Sequence, residues 1–222
     1  MTSAATLFKH EPAEGWLILG GSWRAVIGQL DLLGDLLSPS EGSGLDLVSL
    51  IGDDPGEGLS QLCDELEDTT GKICRTVGLG ELIPDVFPTS TPVRTIVIMA
   101  ARVDNEVFQP GELLKPLLQS RRPGAILITA GQHAAEMGTW HASPDGGVPK
   151  KGSALLSDAM ILTEESDLEM IRSAETFLKS DRKGYVLSLP GEALIAFGPE
   201  DQIRVGGDPP PKITFGSSWK EA

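Results

Sequence analysis

A glycine-containing turn near the N-terminus is the first place where this sequence could bind a ligand. The apolar run 16–19 is typical of a buried strand, and Gly20, Gly21, Ser22, Trp23 and Arg24 follow it. Such turns can bind phosphate, because the next helix presents unpaired N–H groups. The G-x-x-x-x-G-K-[ST] loop needs a lysine and a hydroxyl, which have no counterpart in register here. Arg24 could contact a single anion, but the bulky Trp23 favours a purely structural turn.

Acidic residues follow the second predicted strand, which covers 45–52. Asp53, Asp54 and Glu57 lie at its carboxyl end, the edge at which α/β proteins place their ligands. Three carboxylates so close together could bind a hard divalent cation. Acidic turns are also common before helices, because Asp caps them and Pro starts them. A structural role at the start of a helix is favoured, and metal binding by these carboxylates is kept as an alternative.

The most β-branched run of the chain, Val93–Met99, predicts a central strand that lacks a carboxylate at its end. Met99, Ala100 and Ala101 close the run, and the first acid after it is Asp104. Methyl groups neither coordinate a cation nor orient water. The sequence therefore argues against phosphoryl transfer.

Histidine and cysteine give weak signals. His133 follows a strand over 125–129, where it could sense a ligand, and His141 lies in a predicted long loop over 138–153. The sequence has no elbow serine and no paired histidine spacing, so both histidines are more simply interpreted as polar residues on the protein surface. Cys63 and Cys74 cannot complete a zinc ligand set and define no disulfide framework.

The elements that must position these residues alternate between strand and helix. Apolar strands separated by single helices predict a three-layer α/β fold with a mainly parallel central sheet. A helix is expected over 111–120, and a linker over 84–92. After the long loop, short strands at 159–162, 173–178, 185–189 and 193–197 predict an antiparallel extension at one sheet edge. The expected organisation is a flexible arm over 1–15, one domain over 16–205 and a Pro/Gly-rich tail over 206–222.

The chain is strongly acidic, which restricts its partners. Its 222 residues contain 18 basic and 32 acidic side chains, a formal net charge of −14. Phosphate backbones repel such a surface, so direct nucleic-acid binding is not expected, although Lys150–Lys151 is a small basic cluster. No window predicts a membrane span or a secretion signal, and a cytoplasmic location is expected.

The order of elements resembles the RecA/KaiC-like ATPase core. The resemblance rests on 93–99, 111–120, 124–132, 138–153, 155–162, 175–183 and the hairpin 185–197. It implies a RecA-like P-loop fold, with Gln132 as a possible sensor and Gly20, Gly21, Ser22 and Arg24 as a degenerate nucleotide loop. Because the loop lysine and the strand acid are missing, it implies a pseudo-ATPase without a cofactor. Such a protein would serve as a scaffold or regulatory subunit for a RecA-like paralogue or for its own copies.

Two enzyme families offer alternatives. Residues 47–58 and 185–198 are similar to parts of ribokinase-like sugar kinases, but the Gly-Ala-Gly-Asp motif has no counterpart. The Gly-Asp-Asp turn, the strand at 94–99 and 110–112 are similar to the nickel-hydrogenase maturation peptidases, but alanine replaces the expected metal-binding aspartate. Each alternative lacks a principal catalytic group.

Two tryptophans are candidates for contact with a protein partner. Trp140 lies in the predicted loop and Trp219 in the tail. Large aromatic side chains are frequent anchors at interfaces. Both could equally cover the core of their own chain.

Overall fold

Strands dominate the architecture, and twelve are described. The computed structural model describes residues 8–10, 12, 14–38, 44–51, 57–78, 93–100, 125–180 and 183–218. The strands are β1 (Trp16–Gly20), β2 (Gly44–Ile51), β3 (Cys74–Gly78), β4 (Val93–Ala100), β5 (Ile126–Ala130), β6 (Gly138–His141), β7 (Lys150–Lys151), β8 (Leu156–Thr163), β9 (Tyr185–Leu189), β10 (Leu194–Phe197), β11 (Ile203–Gly206) and β12 (Lys212–Phe215).

The larger sheet has seven strands in the order β11-β10-β1-β5-β4-β2-β3. Its five strands from β1 to β3 are mutually parallel, and β10 and β11 add antiparallel pairs beyond β1. Every residue of β1 and β5 is buried, as expected for strands covered on both faces. The predicted mainly parallel sheet is confirmed, as is the interior position of β4.

Three of the described helices pack on one face of this sheet: α1 (Trp23–Gly28), α2 (Leu30–Leu37) and α3 (Leu59–Thr70). Val26, Leu30, Leu33 and Leu37 recur at helical spacing across α1 and α2, but Gln29 leaves helical geometry (φ −118°, ψ 15°) and separates the two helices. Gly28 just before it is a weak helix former. The chain turns sharply after α3 because Gly71 adopts φ 66° there.

A second sheet of five strands, in the order β12-β9-β8-β6-β7, covers the other face. Its inner pairs, β6 with β8 and β8 with β9, are parallel, whereas both outer pairs are antiparallel. Of the predicted extension, only the strand at 193–197 joins the larger sheet as an antiparallel edge, as β10, and β11 is a further strand that was not predicted. The predicted long loop 138–153 was wrong in part, because it contributes β6 and β7 to this sheet.

Helix α4 (Gln132–Ala135) follows β5, and helix α5 (Leu168–Leu178) packs on the outer face of the second sheet. The strand predicted at 173–178 was wrong, because these residues belong to α5. Asp167 caps this helix, its side chain accepting a hydrogen bond from the N–H of Met170. Ala174 and Phe177 then recur at helical spacing toward the sheet.

The packing gives four layers in the described part of the chain, in the order helices, sheet, sheet, helix. One apolar cluster lies between the two sheets, a second between the larger sheet and α1–α3, and a third beneath α5. The predicted three layers are thus corrected. A run of apolar residues in the sequence shows that a strand face is buried, but it does not show whether a helix or another sheet covers that face.

Both chain ends contribute to the second sheet. Within the expected N-terminal arm, Phe8 is buried between the sheets and the Lys9 carbonyl accepts a 2.8 Å hydrogen bond from the N–H of Ser157. Within the expected tail, β12 pairs with β9. The predicted linker 84–92 and helix 111–120 lie outside the described residues. None of the helices in the described ranges is long and apolar enough to cross a membrane.

Candidate functional site

A cleft of about 350 Å³ opens at the carboxyl ends of β1 and β5. These are adjacent parallel strands, so the turns that follow them meet at one edge of the sheet. The described residues that line it are Ser22, Trp23, Arg24, Glu57, Ala130, Gly131, Gln132, His133 and Glu165. The structure therefore brings together the predicted glycine turn, the predicted sensor Gln132 and one of the three predicted acids.

The turn after β1 is tightly built. A Cβ atom on Gly21 would lie 1.7 Å from the Pro190 carbonyl oxygen, so only glycine fits here. The Gly21 N–H donates to the Ala193 carbonyl at 2.8 Å. The Ser22 hydroxyl donates to the Gly191 carbonyl at 2.7 Å and accepts from the Ala25 N–H at 3.1 Å. These contacts support the structural interpretation of the turn, and they commit Ser22 to capping α1.

The turn after β5 is a sharp strand-to-helix connection centred on Gly131. This residue has φ 56° and ψ −138°, which is a conformation that side chains other than glycine rarely adopt. Its N–H donates to the Gly20 carbonyl and its carbonyl accepts from the Ala134 N–H, both at 3.0 Å. The turn is therefore anchored on β1 on one side and on α4 on the other.

A carboxylate from the second sheet faces this turn. Glu165 lies just after β8, and its Oε1 is 3.1 Å from the position that a Cβ atom on Gly131 would occupy. The turn that carries it is held because the N–H of Thr163 donates to the Ser166 hydroxyl at 3.0 Å. Sequence reasoning missed Glu165, since nothing local links it to β5, and it missed Gly131 because no elbow motif surrounds that residue.

His133 lies on α4 beneath the cleft and is only 1% exposed. Its ring centroid is 6.2 Å from that of Trp23, which is also buried. The interpretation of His133 as a surface polar residue was therefore wrong. His141 belongs to β6 rather than to a loop, and its Nε2 lies 3.2 Å from Glu136 Oε1.

Among the described residues that line the cleft, one guanidinium and two carboxylates carry charge, all on exposed residues: Arg24, Glu57 and Glu165. Asp53 and Asp54, predicted as metal ligands with Glu57, lie outside the described residues. In the part of the chain that the structure describes, no three or more His, Cys, Asp or Glu side chains cluster to hold a metal ion. Cation binding by the predicted acidic set stays a prediction.

Trp140 and the basic pair Lys150–Lys151 are not among the described residues that line the cleft. Trp140 is partly buried, and its ring packs against Phe177 of α5 with 6.2 Å between centroids. Lys150 and Lys151 form β7 and are exposed. Trp219 lies outside the described residues. Roles for Trp140 and Trp219 in binding a partner stay predictions.

Comparison with known proteins identifies a fold neighbour. No protein-family model matches the chain, and no curated protein matches it. A solved structure described as a "Putative Peptidase E Protein from Listeria monocytogenes EGD-e" superposes with a TM-score of 0.51 at 10% sequence identity. The match covers 87% of this chain and 98% of that protein. At this identity the likeness shows the mixed α/β fold alone.

The geometry of the β5 turn decides what chemistry the cleft can do. Hydrolases with a nucleophile elbow hold a serine at the apex of a sharp strand-to-helix turn, with a backbone N–H next to it as an oxyanion donor. Here the apex residue is Gly131, which has no side chain. In the neighbouring turn after β1, the hydroxyl available at the cleft is that of Ser22, which already donates to the Gly191 carbonyl and caps α1. The described part of the cleft can therefore contact a ligand but holds no activated nucleophile.

Proposed function

We propose that this protein is a non-catalytic binding protein built on a peptidase-E-like α/β frame. Its cleft at β1 and β5 accepts a small polar ligand or the end of a peptide and leaves it unchanged. The observation that carries the proposal is Gly131, which occupies the apex of an elbow-like turn with φ 56° and no side chain. A protein that retains the turn but not a nucleophile keeps a place for a ligand without the means to cleave it.

The charges at the cleft indicate the class of ligand. Arg24 can bind a carboxylate, and Glu57 and Glu165 can bind an ammonium group. A molecule with both groups, such as a dipeptide, matches this set. Exposed ion pairs contribute little free energy each, so affinity depends on burial of the ligand in the cleft.

A peptidase is the second candidate, favoured by the description of the fold neighbour. It requires a nucleophile from outside the described cleft lining. The RecA-like scaffold stays a prediction that the structural neighbour does not support. Both non-catalytic functions, ligand binding in the cleft and the RecA-like scaffold, are compatible with a protein partner whose peptide end binds in the cleft.

The test uses a set of dipeptides that differ in net charge, with binding followed by calorimetry and hydrolysis followed by mass spectrometry. We expect zwitterionic dipeptides to bind without hydrolysis, and a serine-reactive fluorophosphonate to leave the protein unlabelled. Arg24→Ala and Glu165→Gln should each weaken binding about threefold, the loss of one exposed ion pair. Arg172→Ala, on the far side of α5, is the matched control and should bind normally.

Two results would contradict the proposal. Hydrolysis that disappears in Arg24→Ala would support the peptidase instead. Equal affinity of the wild type, Arg24→Ala and Glu165→Gln for every dipeptide that binds would place the binding site elsewhere.

A further inference from the structure

The two cysteines of the chain lie side by side. Cys63 is on α3 and Cys74 is the first residue of β3, and no other cysteine occurs in the sequence. The Cys74 S–H donates to Cys63 Sγ across 3.6 Å. Both thiols are free and both residues are partly exposed. Small reagents in solution can therefore reach a preassembled dithiol.

The turn between α3 and β3 positions the two cysteines next to each other. Gly71 ends α3 in a left-handed conformation, its N–H donating to the Glu67 carbonyl at 2.8 Å, and the chain returns at once as β3. The Glu67 carboxylate accepts a 2.7 Å hydrogen bond from the N–H of Cys74. Among the described strands, β3 lies at the edge of the larger sheet and pairs only with β2.

The two thiols differ in reactivity. The pKa of Cys63 is lowered, chiefly because the Cys74 thiol donates a hydrogen bond to its sulfur. The pKa of Cys74 is raised, chiefly by the same hydrogen bond and then by burial. Cys63 is thus the group that ionises first and the better nucleophile of the two.

We propose that Cys63 and Cys74 form a reversible dithiol–disulfide site that reacts with low-molecular-weight disulfides such as glutathione disulfide. The Cys63 thiolate attacks one sulfur of the disulfide RSSR, forms a mixed disulfide and releases RS⁻, which takes up a proton. Cys74 then loses its proton to solvent and attacks Cys63 Sγ, which releases the second RS⁻ to be protonated. The protein loses two electrons and two protons, and RSSR becomes two RSH.

Closure of the disulfide requires only a small movement. The sulfur atoms must approach from 3.6 Å to the bonded distance of about 2.05 Å. The bond would tie the middle of α3 to the edge strand β3. It would restrict the unfolded chain and so stabilise this part of the fold. The inference is independent of ligand binding at the cleft, because neither cysteine lines it.

The experiment treats the reduced protein with glutathione disulfide and follows its intact mass and thermal unfolding. We expect the wild type to lose about 2 Da as an intramolecular disulfide, and its midpoint to rise by roughly 5 °C. Cys74→Ser should stop at a glutathione adduct on Cys63. Cys63→Ser should form its adduct several times more slowly. The double serine variant is the control and should not react.

Each variant is first checked for wild-type circular dichroism, so that a folding defect is separated from lost reactivity. Three outcomes would overturn the proposal: a wild type whose mass does not change, a wild type that forms only intermolecular dimers, or a Cys63→Ser variant that reacts as fast as Cys74→Ser. Addition of reduced glutathione should restore the starting mass. A disulfide that resists this treatment would contradict reversibility.

Discussion

Gly21 shows, at the scale of one residue, how closely the backbones around the cleft approach each other. The Pro190–Gly191 turn lies against it, and the adjacent hydroxyl of Ser22 donates to the Gly191 carbonyl at 2.7 Å. A second glycine, Gly34 on α2, has no heavy atom within 4 Å of the position that a Cβ atom would occupy. Gly21 is therefore required for steric reasons, whereas at Gly34 glycine only adds the entropic cost of a flexible residue in a helix.

Gly21→Ala should lower the free energy of unfolding by about 2–3 kcal/mol, because the backbone must shift and strain two hydrogen bonds. Gly34→Ala should raise it by about 0.5–1 kcal/mol, because alanine is the better helix former. Urea unfolding of both variants measures the difference. Equal effects at the two positions would show that Gly21 is not packed as described.

At the scale of elements, an ion pair joins α2 to the edge strand β11. Arg204 of β11 donates to both carboxylate oxygens of Asp35, with 2.7 Å between Nη2 and Oδ2, and its guanidinium lies 4.9 Å from the ring centre of Trp16. The Arg204 hydrogen bond lowers the pKa of Asp35 below its ordinary value of 3.8. A lowered pKa in the folded state means that the pair stabilises the fold above that ordinary value. The contribution is lost as pH falls through the folded-state pKa.

Asp35→Asn should therefore cost up to about 1 kcal/mol at pH 7, a modest value because the Asp35 side chain is 69% exposed. The difference from the wild type should begin to shrink as the pH falls below 3.8 and should vanish once Asp35 is protonated in the folded state. Asp68→Asn, near the carboxyl end of α3, is the matched control and should not lower the free energy of unfolding. Chemical denaturation at several pH values measures both. A cost that persists in acid would contradict the ion pair as its cause.

At the scale of the whole molecule, the interface between the two sheets is closed by an N-terminal residue. The Phe8 ring lies 5.2 Å from the Tyr185 ring and 5.5 Å from the Phe197 ring, so it contacts both sheets. Phe215 lies 6.5 Å away on the edge strand β12 and is 40% exposed. Phe8 is thus a core residue supplied by a segment whose sequence resembles a loose terminus.

Phe8→Ala should lower the free energy of unfolding by about 3–5 kcal/mol, because it removes a buried aromatic ring between the sheets. Phe215→Ala is the control and should cost about 1 kcal/mol, since much of that ring already contacts water. Guanidinium unfolding followed by fluorescence measures both. A cost for Phe8→Ala no greater than that for Phe215→Ala would contradict the packing of the N-terminal segment.

The candidate site could be predicted only in part. The glycine turn was singled out because an apolar strand followed by a turn is a local pattern, and Gln132 was singled out through the RecA-like resemblance. Gln132 lines the cleft, and its role as a sensor stays a prediction. Glu165 was not recognised, since it meets Gly131 only when β8 of the second sheet is stacked on the first. The burial of His133 was missed for a related reason: a short polar helix gives no sign of which side is covered.

The sequence by itself determined the parallel sheet, because runs of apolar β-branched residues separated by helical periods are local and admit few other arrangements. Cys63 and Cys74 show what only the tertiary structure decided. Their spacing in the sequence indicated no disulfide framework. In the structure, β3 returns along α3 and places the two sulfur atoms 3.6 Å apart. The tertiary structure likewise decided that a second sheet covers the first and that a carboxylate faces a glycine elbow. Local periodicity fixes which face of an element is buried, whereas the partner on that face depends on pairings between distant segments.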